Sequence, residues 1–411
     1  MMKSDFKILH ISSPSIGGAA RAAFRIHQAL QKNGVDSQFF AINDNLKELD
    51  TPVRKKDFLT QKIQWRLRHH FGIELDTRRR IEKELAALSP LNCEIASIPV
   101  SAYLLDKFLQ TQKPDIVHLH WVAQNFDYPD FFKYCPFPIV WTLHDMNPFS
   151  GLFHYKNDSI KNLAVANKLD TYVTKMKRRA VQHFNKKLSV VTPSAWLAKE
   201  AGESLVFRNR SVTIIPYAID LNTFSPMNKT DSRKRHGFSE NQKILIALAD
   251  YTQIYRKGFD LLKETISKMP DVLLLLIGGK PDDAKDKINI QYLGRINDDK
   301  VLAEYYSLAD ATVIPSREDN LPNVMLESFA CGTPVISFKV GGLAEHVNNF
   351  DTGLIAEEIN AASLHKTIQT FFDNKEKFDS KKIRKYAEDH FNEKLIAGKY
   401  MEVYADSLAK P

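Results

Sequence analysis

The sequence has few cysteines and no long apolar run, and these two features bear on which classes of protein it can belong to. Cys93, Cys135 and Cys331 are odd in number and far apart among 411 residues, which favours neither a disulfide framework nor a zinc site. We expect them to be small buried residues. No apolar stretch approaches the ~20 residues of a membrane-spanning helix, and the longest, VLLLLIGG, suits a buried parallel strand. The opening MMKSDFKILHISS has too short an apolar core for a signal peptide, so we expect a cytoplasmic protein.

Positive charge exceeds negative charge and is concentrated in two segments. The chain has 57 Lys and Arg against 49 Asp and Glu, a net charge of +8. The segments are VRKKDFLTQKIQWRLRHHFGIELDTRRRIEK from Val53 and KMKRRAVQHFNKK from Lys175. They could lie on an anionic membrane surface or meet an anionic acceptor, but their apolar spacing also fits helices packed on a core with a solvated basic face. Both interpretations stay open, whereas nucleic acid is not expected because no binding motif is present.

Short β-rich runs alternate with helical segments, which predicts an α/β fold with parallel sheets wrapped by helices. The predicted strands are FKILHIS, SQFFAIN, DIVHLHW, PIVWTLHD, LSVVTPS and VTIIPYA, then KILIALAD, DVLLLLIG, INIQYLG, ATVIPS, TPVISF and TGLIAE. Each set of six predicts one doubly wound sheet. We therefore predict a first Rossmann-like domain at residues 1–218, a second at 219–390, and a helix at 391–411 that packs back on the first. Two such domains facing each other would bind ligands in a cleft at the carboxyl ends of their strands.

Two loops of the first predicted domain contain candidate ligand-binding residues. Gly17 and Gly18 follow the first strand, and the amides of the next helix could hold an anion or a sugar, although Gly-Gly before a helix is often only a tight turn. His144 ends a strand and could donate a hydrogen bond to a hydroxyl group or stabilise a developing charge. The alternative for His144 is a buried histidine paired with a backbone carbonyl. His118 and His120 share one face of an interior strand, which favours a structural role.

Two loops of the second predicted domain contain groups suited to a diphosphate. Arg256 and Lys257 precede a helix that begins near Gly258, and fixed cations there would balance a charge that grows as a diphosphate departs. The alternative is an ordinary surface pair. Gly278 and Gly279 end the run LLLLI and would let the backbone approach a ligand closely.

The stretch SREDNLPNVMLESFACGTPV, residues 316–335, is the most informative part of the sequence. It predicts a loop and a short helix, which ends at Gly332 and Pro334. The amides of the first helical turn can hold a phosphate, while Asp319 and Glu327 can accept hydrogen bonds from sugar and ribose hydroxyls. This combination fits a nucleotide sugar, although a helix cap and dipole compensation are the alternatives for the two carboxylates. We count as further candidate contacts of the nucleotide Asn320, Leu321, Asn323 and Val324.

The stretch PSREDNLPNVMLESFACGTPVISFKVGGLAEHV resembles the carboxy-terminal signature of retaining glycosyltransferases of family 4, which have the GT-B fold. Other segments resemble the family in the same order along nearly the whole chain. They are GGAARAAFRIHQAL, DIVHLHW, WTLHDMNPFSG, VTPSAWLAKE, IIPYAID, RKGFDLL and YLGRINDDKVLAEYYSLADATVIPS. The chain looks most like bacterial enzymes that build capsular or exopolysaccharide repeat units.

The resemblance implies that Asp319 or Glu318 holds hydroxyl groups of the donor sugar and that Glu327 holds the ribose. The family has Glu at the first of these positions, and this chain has Asp319 there with Glu318 beside it. It further implies that His144 and the loop at residues 17–18 face the transferred sugar.

The resemblance also implies that Arg256 and Lys257 neutralise the donor's diphosphate. The Arg that relatives have five positions before the Lys is Thr252 here, so Arg256 or Arg295 would have to supply the second cation. Many relatives have cysteines soon after the HDM stretch, whereas FSGLFHYKND has none.

Enzymes of this kind need no metal and no cofactor besides the donor. Consistent with this, no Asp-x-Asp motif ends a predicted strand, and the pairs Asp282-Asp283 and Asp298-Asp299 lie in polar segments that we expect to be exposed.

The expected function is transfer of a hexose or related sugar from a UDP- or GDP-sugar to an oligosaccharide, lipid-linked at the inner face of the membrane, in polysaccharide biosynthesis. Two alternatives remain. One is a non-catalytic protein that binds a nucleotide or a membrane, and the other is an isomerase or hydrolase of nucleotide sugars.

Overall fold

The computed structural model describes residues 6–46, 76–88, 90–251, 253–279 and 289–409, with side chains described for all of these except residues 250 and 251. Most of the basic segment from Val53 lies outside these ranges, as do Thr252 and the Asp282-Asp283 pair. Across the described ranges, no helix combines the length and the apolar character needed to cross a bilayer.

The chain divides into two compact units. The first comprises Met1–Thr192, Leu197–Ile214 and Tyr400–Pro411, and the second comprises Pro193–Trp196 and Ile215–Lys399. The main division between the units lies after residue 214, whereas the sequence analysis placed the boundary at residue 218.

A parallel sheet forms the centre of the first unit. In chain order its described strands are β1 (Lys7–Ser12), β2 (Asp36–Ala41), β3 (Ile116–Leu119), β4 (Ile139–Thr142), β5 (Leu188–Thr192) and β6 (Val212–Ile214). Their order across the sheet is β2-β1-β3-β4-β5-β6, and all neighbouring pairs are parallel. β3 and β4 are buried along their whole length, as expected for strands covered on both faces.

A second parallel sheet forms the centre of the second unit. Its described strands are β7 (Lys243–Tyr251), β8 (Val272–Gly279), β9 (Ile290–Gly294), β10 (Ala311–Ile314), β11 (Val335–Phe338) and β12 (Gly353–Ala356). Their order is β12-β11-β10-β7-β8-β9, with every neighbouring pair parallel. The twelve predicted strands and the α/β class are confirmed.

Helices connect the strands of both sheets. Among the described residues of the first unit they are α1 (Gly18–Lys32), α2 (Thr77–Ala87), α3 (Asp106–Gln112), α4 (Tyr128–Tyr134), α5 (Lys156–Lys161) and α6 (Leu163–Gln182). The next helix, α7 (Ala195–Glu203), begins in the second unit and belongs to the first unit from Leu197 on. In the second unit they are α8 (Lys229–Arg235), α9 (Phe259–Ile266), α10 (Asp299–Leu308), α11 (Asn323–Ala330), α12 (Leu343–His346), α13 (Ala361–Asp373) and α14 (Ser380–Phe391), followed by α15 (Glu393–Leu408). Apolar residues at helical spacing are buried, for example Ala22, Ile26 and Ala29 of α1.

The final helix, α15, contributes its last residues to the first unit. The Tyr404 hydroxyl forms a hydrogen bond with Nδ1 of His118 at 2.7 Å, and the Tyr400 hydroxyl lies 2.9 Å from Oγ1 of Thr142. These contacts bring residues from the end of the chain into the core beneath β3 and β4.

The cysteines and the second basic segment differ in part from expectation. Cys135 and Cys331 are buried as predicted, whereas Cys93 is half-buried, and all three are free thiols. Both interpretations of the segment from Lys175 placed its cations at the surface, but Lys177 is only 1% exposed. Its ammonium donates to the backbone oxygens of Asn147 at 2.6 Å and Gly151 at 2.7 Å. Lys177 therefore holds the loop after β4 from inside the protein.

Candidate functional site

In the second unit, the loop between β10 and α11 places Asp319 against two basic side chains. Lys257 Nζ donates to Asp319 Oδ2 at 2.8 Å, and a guanidinium nitrogen of Arg256 lies 3.6 Å from the same oxygen. The Ser316 hydroxyl donates to Oδ2 at 3.1 Å, and the backbone N–H of Asn320 donates to Oδ1 at 3.1 Å. The Asp319 carboxylate is thus both hydrogen-bonded and balanced by positive charge.

The charge of Asp319 persists although the residue is only 7% exposed. Burial acts to raise the pKa of its carboxyl group, but the charges of Lys257 and Arg256 and the hydrogen bonds from Lys257 and Ser316 oppose it, and the net pKa is lowered. At neutral pH this loop therefore presents an ionised carboxylate beside two cations.

The backbone fixes Arg256 and Lys257 at this place. Both lie in a single 3₁₀ turn, Tyr255–Lys257, which Gly258 ends with a φ of +68°. A Cβ atom on Gly258 would lie 1.8 Å from the carbonyl oxygen of Pro315, so the turn packs backbone against backbone on the loop after β10. An Arg256 guanidinium nitrogen also donates to the carbonyl oxygen of Glu318 at 3.0 Å.

Arg317 is a part of this loop that the sequence did not single out. Its guanidinium forms a two-pronged pair with Asp260 on α9, at 2.7 and 2.5 Å, and lies 3.9 Å from the ring centroid of Tyr255. Its backbone N–H donates to the carbonyl oxygen of Arg256 at 2.7 Å. Arg317 therefore ties the loop after β10 to the turn before α9. The sequence did contain a signal for this role, because Arg317 is a cation directly before the acidic residues Glu318 and Asp319.

Glu327 lies inside α11, as predicted, and has a different direct partner. The Tyr306 hydroxyl donates to Glu327 Oε2 at 2.8 Å, and Glu327 is only 1% exposed. Pro322 precedes α11 and provides no side-chain hydrogen bond to its first turn. The predicted helix and the loop before it are confirmed, while the role of Glu327 toward a ribose stays a prediction.

The remaining candidates of this loop line the start of α11. Asn320, Leu321 and Asn323 are buried, and Val324 is half-buried. Asn320 is held on two sides: the Ser194 hydroxyl donates to its Oδ1 at 2.6 Å, and its carbonyl oxygen accepts the N–H of Gly342 at 2.7 Å. Contacts within the protein therefore preorganise this loop.

The other candidates of the second unit lie close to the ends of β7, β8 and β9 in the sequence. Gly279 is the last residue of β8. Gly278 before it has a φ of +135°, and a Cβ atom there would not fit because it would lie 1.7 Å from the Ala249 carbonyl oxygen. Arg295 directly follows β9 and is exposed. Thr252 lies outside the described residues. Asp298 caps α10 and is exposed, as expected, whereas Asp299 is half-buried.

In the first unit, His144 lies at the carboxyl end of β4 and is 6% exposed. Its Nε2 lies 3.2 Å from Nδ1 of His120, so one of its partners is a second imidazole. Burial lowers the pKa of His144 to about 4, against an opposing effect of the Asp145 carboxylate. His144 is therefore neutral at physiological pH.

A group of histidines lies behind His144. His10 on β1 is the register partner of His118 on β3, and His10 Nδ1 lies 2.8 Å from His120 Nε2. One ligand nitrogen from each of His10, His118 and His120 lies within 4.8 Å of the others, a spacing that could suit a metal ion. Both nitrogens of His118 already pair with hydroxyl groups, those of Tyr404 and Thr142, at 2.7 and 2.8 Å. We therefore assign the group to hydrogen bonding among protein side chains.

Asp145, the residue after His144, anchors the loop that follows. Its Oδ2 accepts from Trp121 Nε1 at 2.6 Å and lies 2.6 Å from His154 Nδ1, while Oδ1 accepts the N–H of Asn147. His154 Nε2 pairs with the Ser97 hydroxyl at 2.8 Å. Trp121 is half-buried and the other members are buried, so the network fixes the backbone around His144. The sequence analysis missed it because its members are far apart in the chain.

Gly17 and Gly18 lie at the start of α1 and are exposed. Gly17 has a φ of +97° and precedes the helix as its cap, with its carbonyl oxygen accepting the N–H of Arg21 at 2.9 Å. Ile16 beside them is 80% exposed. The tight turn is confirmed, and contact with a ligand stays a prediction.

Two family models match the chain. The one described as "Glycosyltransferase Family 4" matches residues 16–223, and the one described as "Glycosyl transferases group 1" matches residues 228–390.

Curated relatives and solved structures agree with these matches. The chain is 25% identical over 217 residues to the N-acetyl-alpha-D-glucosaminyl L-malate synthase of Bacillus anthracis. The aligned part is 50% of this chain and 56% of that protein, so the chain spans about half of that relative's length. It is 24% identical over 418 residues to an "Uncharacterized glycosyltransferase" of Haemophilus influenzae, covering 96% of this chain and 98% of the relative. Among solved structures, Anabaena HepE in complex with UDP-glucose shares 17% identity at a TM-score of 0.62, covering 98% of this chain and 100% of that one.

Proposed function

Because the chain belongs to glycosyltransferase family 4 and has the GT-B fold, we propose that it transfers a sugar from a nucleoside-diphosphate sugar to a saccharide acceptor with retention of configuration. Support for a nucleotide-sugar donor comes from the loops of the second unit and from the similarity to HepE, which was solved with UDP-glucose. The single observation that carries the proposal is the contact of Lys257 and Arg256 with Asp319 beside the start of α11.

Lys257 and Arg256 supply the positive charge that a departing diphosphate needs. Their position is set by the backbone packing of Gly258 on Pro315, so little reorganisation is required when charge develops. Preorganised cations of this kind stabilise a leaving group more in the transition state than in the ground state, which raises the rate. In this proposal they replace a metal ion, and the reaction proceeds without one.

Asp319, with Glu318 beside it, accepts hydrogen bonds from hydroxyl groups of the donor sugar, and Glu327 accepts them from the ribose. When a diphosphate attracts Lys257 and Arg256, Asp319 Oδ2, which both cations now contact, becomes an acceptor for the sugar. The backbone and side chains of Asn320, Leu321, Asn323 and Val324, with Gly279, would complete the nucleotide contacts.

His144 and the Gly17-Gly18 turn act on the transferred sugar in this proposal. His144 is neutral, so it donates one hydrogen bond and accepts another without bringing net charge to an oxocarbenium-like sugar. The turn contributes the amides and positive end of the helix dipole of α1.

We test the proposal by measuring release of nucleoside diphosphate by the purified protein with UDP-, GDP- and ADP-sugars and a saccharide acceptor. Lys257→Ala and Glu327→Ala should each lower turnover at least about tenfold, because each removes a charge-assisted contact to the donor. Lys268→Ala is the matched control, since Lys268 pairs with Glu264 on the surface. Added EDTA should leave turnover unchanged, and product NMR should show a retained anomeric configuration. Equal rates in wild type and the first two variants would refute the site, and equal donor consumption without acceptor would indicate a hydrolase.

A lipid-linked acceptor and a role in polysaccharide biosynthesis are further parts of the proposal, motivated by the basic segments at residues 53–83 and 175–187. If these segments meet anionic lipid, sedimentation with phosphatidylserine liposomes should weaken steeply between low and physiological salt, because added ions screen the attraction. Liposomes of neutral lipid are the control. Absence of binding at every salt concentration would remove the membrane from the proposal.

A further inference from the structure

Residues 145–154 form a loop after β4 that is closed at its neck. The Asp145 carboxylate lies 2.6 Å from His154 Nδ1, and the backbone N–H of Met146 donates to the carbonyl oxygen of His154 at 3.1 Å. The loop therefore begins and ends beside itself. All of its residues except Ser150 are buried, so its backbone polar groups need partners inside the protein.

A single ammonium group, that of Lys177 on α6, lies inside this loop. Lys177 Nζ donates to the carbonyl oxygens of Asn147 at 2.6 Å and Gly151 at 2.7 Å, and to Asn147 Oδ1 at 3.1 Å. An ammonium has three protons, so each of the three oxygens can accept one. Lys177 is only 1% exposed, so the protein itself satisfies this charge.

Two carboxylates and an aromatic ring lie around the Lys177 ammonium. Burial lowers the pKa of Lys177 to about 7, against the opposing effect of the Asp145 and Asp170 carboxylates. The ammonium also lies 5.5 Å from the ring centroid of Tyr128 on α4. Asp170 on α6 accepts the backbone N–H of Leu152 at 2.7 Å. One helix therefore contacts the loop through both a cation and an anion.

A neutral group cannot reproduce the contacts of the Lys177 ammonium. A water molecule has two protons and no charge, and a methionine side chain of similar length has no donor. Without the ammonium, the inward oxygens of Asn147 and Gly151 would share a buried space, and buried carbonyl groups without donors are costly. We expect the loop to relax away from this arrangement and to displace His144, which directly precedes it.

We propose that Lys177 is a positioning residue whose ammonium is the built-in cation of the loop at residues 145–154 and thereby fixes His144 at the end of β4. Because three oxygens converge on one nitrogen, the site suits a primary ammonium. The effect on turnover rests on the proposed function, in which His144 faces the transferred sugar. The requirement of the loop for a cation does not rest on it.

The requirement is tested by returning the missing group to Lys177→Ala. This substitution removes three methylene groups and the ammonium, and n-propylammonium has the same composition. At pH 6, where the ammonium form of Lys177 predominates, n-propylammonium chloride at about 100 mM should raise the melting temperature of Lys177→Ala by at least about 2 °C, because it binds only the folded state. n-Propanol, of similar size but uncharged, and sodium chloride at equal ionic strength should not.

Three proteins serve as controls for the melting temperatures. Wild type should not respond to n-propylammonium, because its own ammonium occupies the site. Lys177→Met should be destabilised and should not respond either, because its side chain fills the space without a donor. Lys175→Ala, which changes an exposed lysine of the same helix, should behave as wild type.

Kinetics separate positioning from a general loss of fold. The candidate nucleotide contacts lie in the second unit, so Lys177→Ala should keep its KM for the donor within about threefold of wild type. Its kcat should fall about tenfold to a hundredfold, as it does when catalytic groups are misplaced. n-Propylammonium should raise the kcat of Lys177→Ala at least about threefold, and Lys175→Ala should keep wild-type values.

Wild-type kcat in Lys177→Ala, or equal stabilisation of this variant by n-propanol and n-propylammonium, would overturn the proposal. If Lys177→Ala is isolated unfolded, its refolding is measured with each compound. Refolding with the amine alone supports the proposal, whereas refolding with both or with neither contradicts it. If wild type turns over no donor, the proposed function fails, and the melting temperatures still decide whether the loop needs a cation.

Discussion

The pair of half-buried Lys257 and buried Asp319 contributes both to stability and to the candidate site. Asp319 stays ionised in a buried position because two cations and two hydrogen-bond donors surround it. Removing one cation leaves a buried carboxylate with reduced compensation, which costs more than the pair itself contributes. Lys257→Ala therefore removes a phosphate contact and also destabilises the loop, and a second substitution at Asp319 shows how much of the lost stability comes from the uncompensated carboxylate.

We predict that Lys257→Ala lowers the free energy of unfolding by about 2 kcal/mol at pH 7 and that Lys257→Ala/Asp319→Asn recovers most of this loss, because the carboxylate that Lys257 balances is then neutral. Turnover should stay low in the double variant. Chemical denaturation and the donor assay measure the two quantities. Recovery of turnover together with stability would show that Lys257 acts only through the fold.

The pH dependence follows from the lowered pKa of Asp319. Its stabilising effect is fully present above the unfolded pKa of about 3.9 and is lost as pH falls through the lower folded pKa. The stability difference between wild type and Lys257→Ala should therefore be constant from pH 5 to 7 and shrink below pH 4. A difference that instead grew on acidification would contradict this assignment.

At the residue scale, the sequence revealed which side chains could contact a donor but not how they are paired. Arg256, Lys257 and Asp319 were singled out from loop position, and the structure brings them into direct contact. Arg317 and Lys177 were missed because a charged residue is usually exposed, and only the folded chain shows that Lys177 has three backbone and amide acceptors around it.

Among the elements, the turn before α9 depends on one glycine. Gly258 has a positive φ and also lies where a Cβ would meet the Pro315 carbonyl oxygen at 1.8 Å. Gly237, after α8, has a similar φ of +74°, but nothing lies within 4 Å of its hypothetical Cβ. Comparing Gly237 with Gly258 therefore separates the cost of backbone strain from the cost of crowding between two loops.

We predict that Gly237→Ala costs about 1 kcal/mol of unfolding free energy, which is the strain of a left-handed residue. Gly258→Ala should cost at least about 2 kcal/mol more and should also lower turnover, because the loop after β10 must move away from Arg256 and Lys257. Denaturant titration and the donor assay provide the comparison. Equal destabilisation by the two substitutions would show that the loops are not packed as described.

Strands were the elements that the sequence predicted best, since continuous apolar runs bounded by turns identify buried parallel strands. Their ends were less certain: the run PIVWTLHD extends beyond β4, which ends at Thr142. The residues after it leave the ladder because Asp145 binds Trp121, His154 and Asn147, a set of contacts that no local pattern reveals.

On the scale of the whole molecule, both units have a parallel six-stranded sheet among their described residues, and each places its candidate residues after strand ends. The first unit includes Tyr400 and Tyr404 from the end of the chain, so its core is complete only when the last helix is in place. The sequence predicted a C-terminal helix that packs back on the first domain, but the tyrosine contacts with His118 and Thr142 depend on long-range packing and could not be predicted from it.

The central claim is that the loops after β7 and β10 bind the diphosphate of a nucleotide donor. Isothermal titration calorimetry of the full chain with UDP, GDP and ADP tests it most directly. We expect one of these nucleotides to bind to wild type and to Lys268→Ala with equal affinity, and to bind Lys257→Ala at least about tenfold more weakly, a loss of about 1.4 kcal/mol. Absence of binding to wild type at millimolar concentrations, or equal binding to all three proteins, would contradict the account.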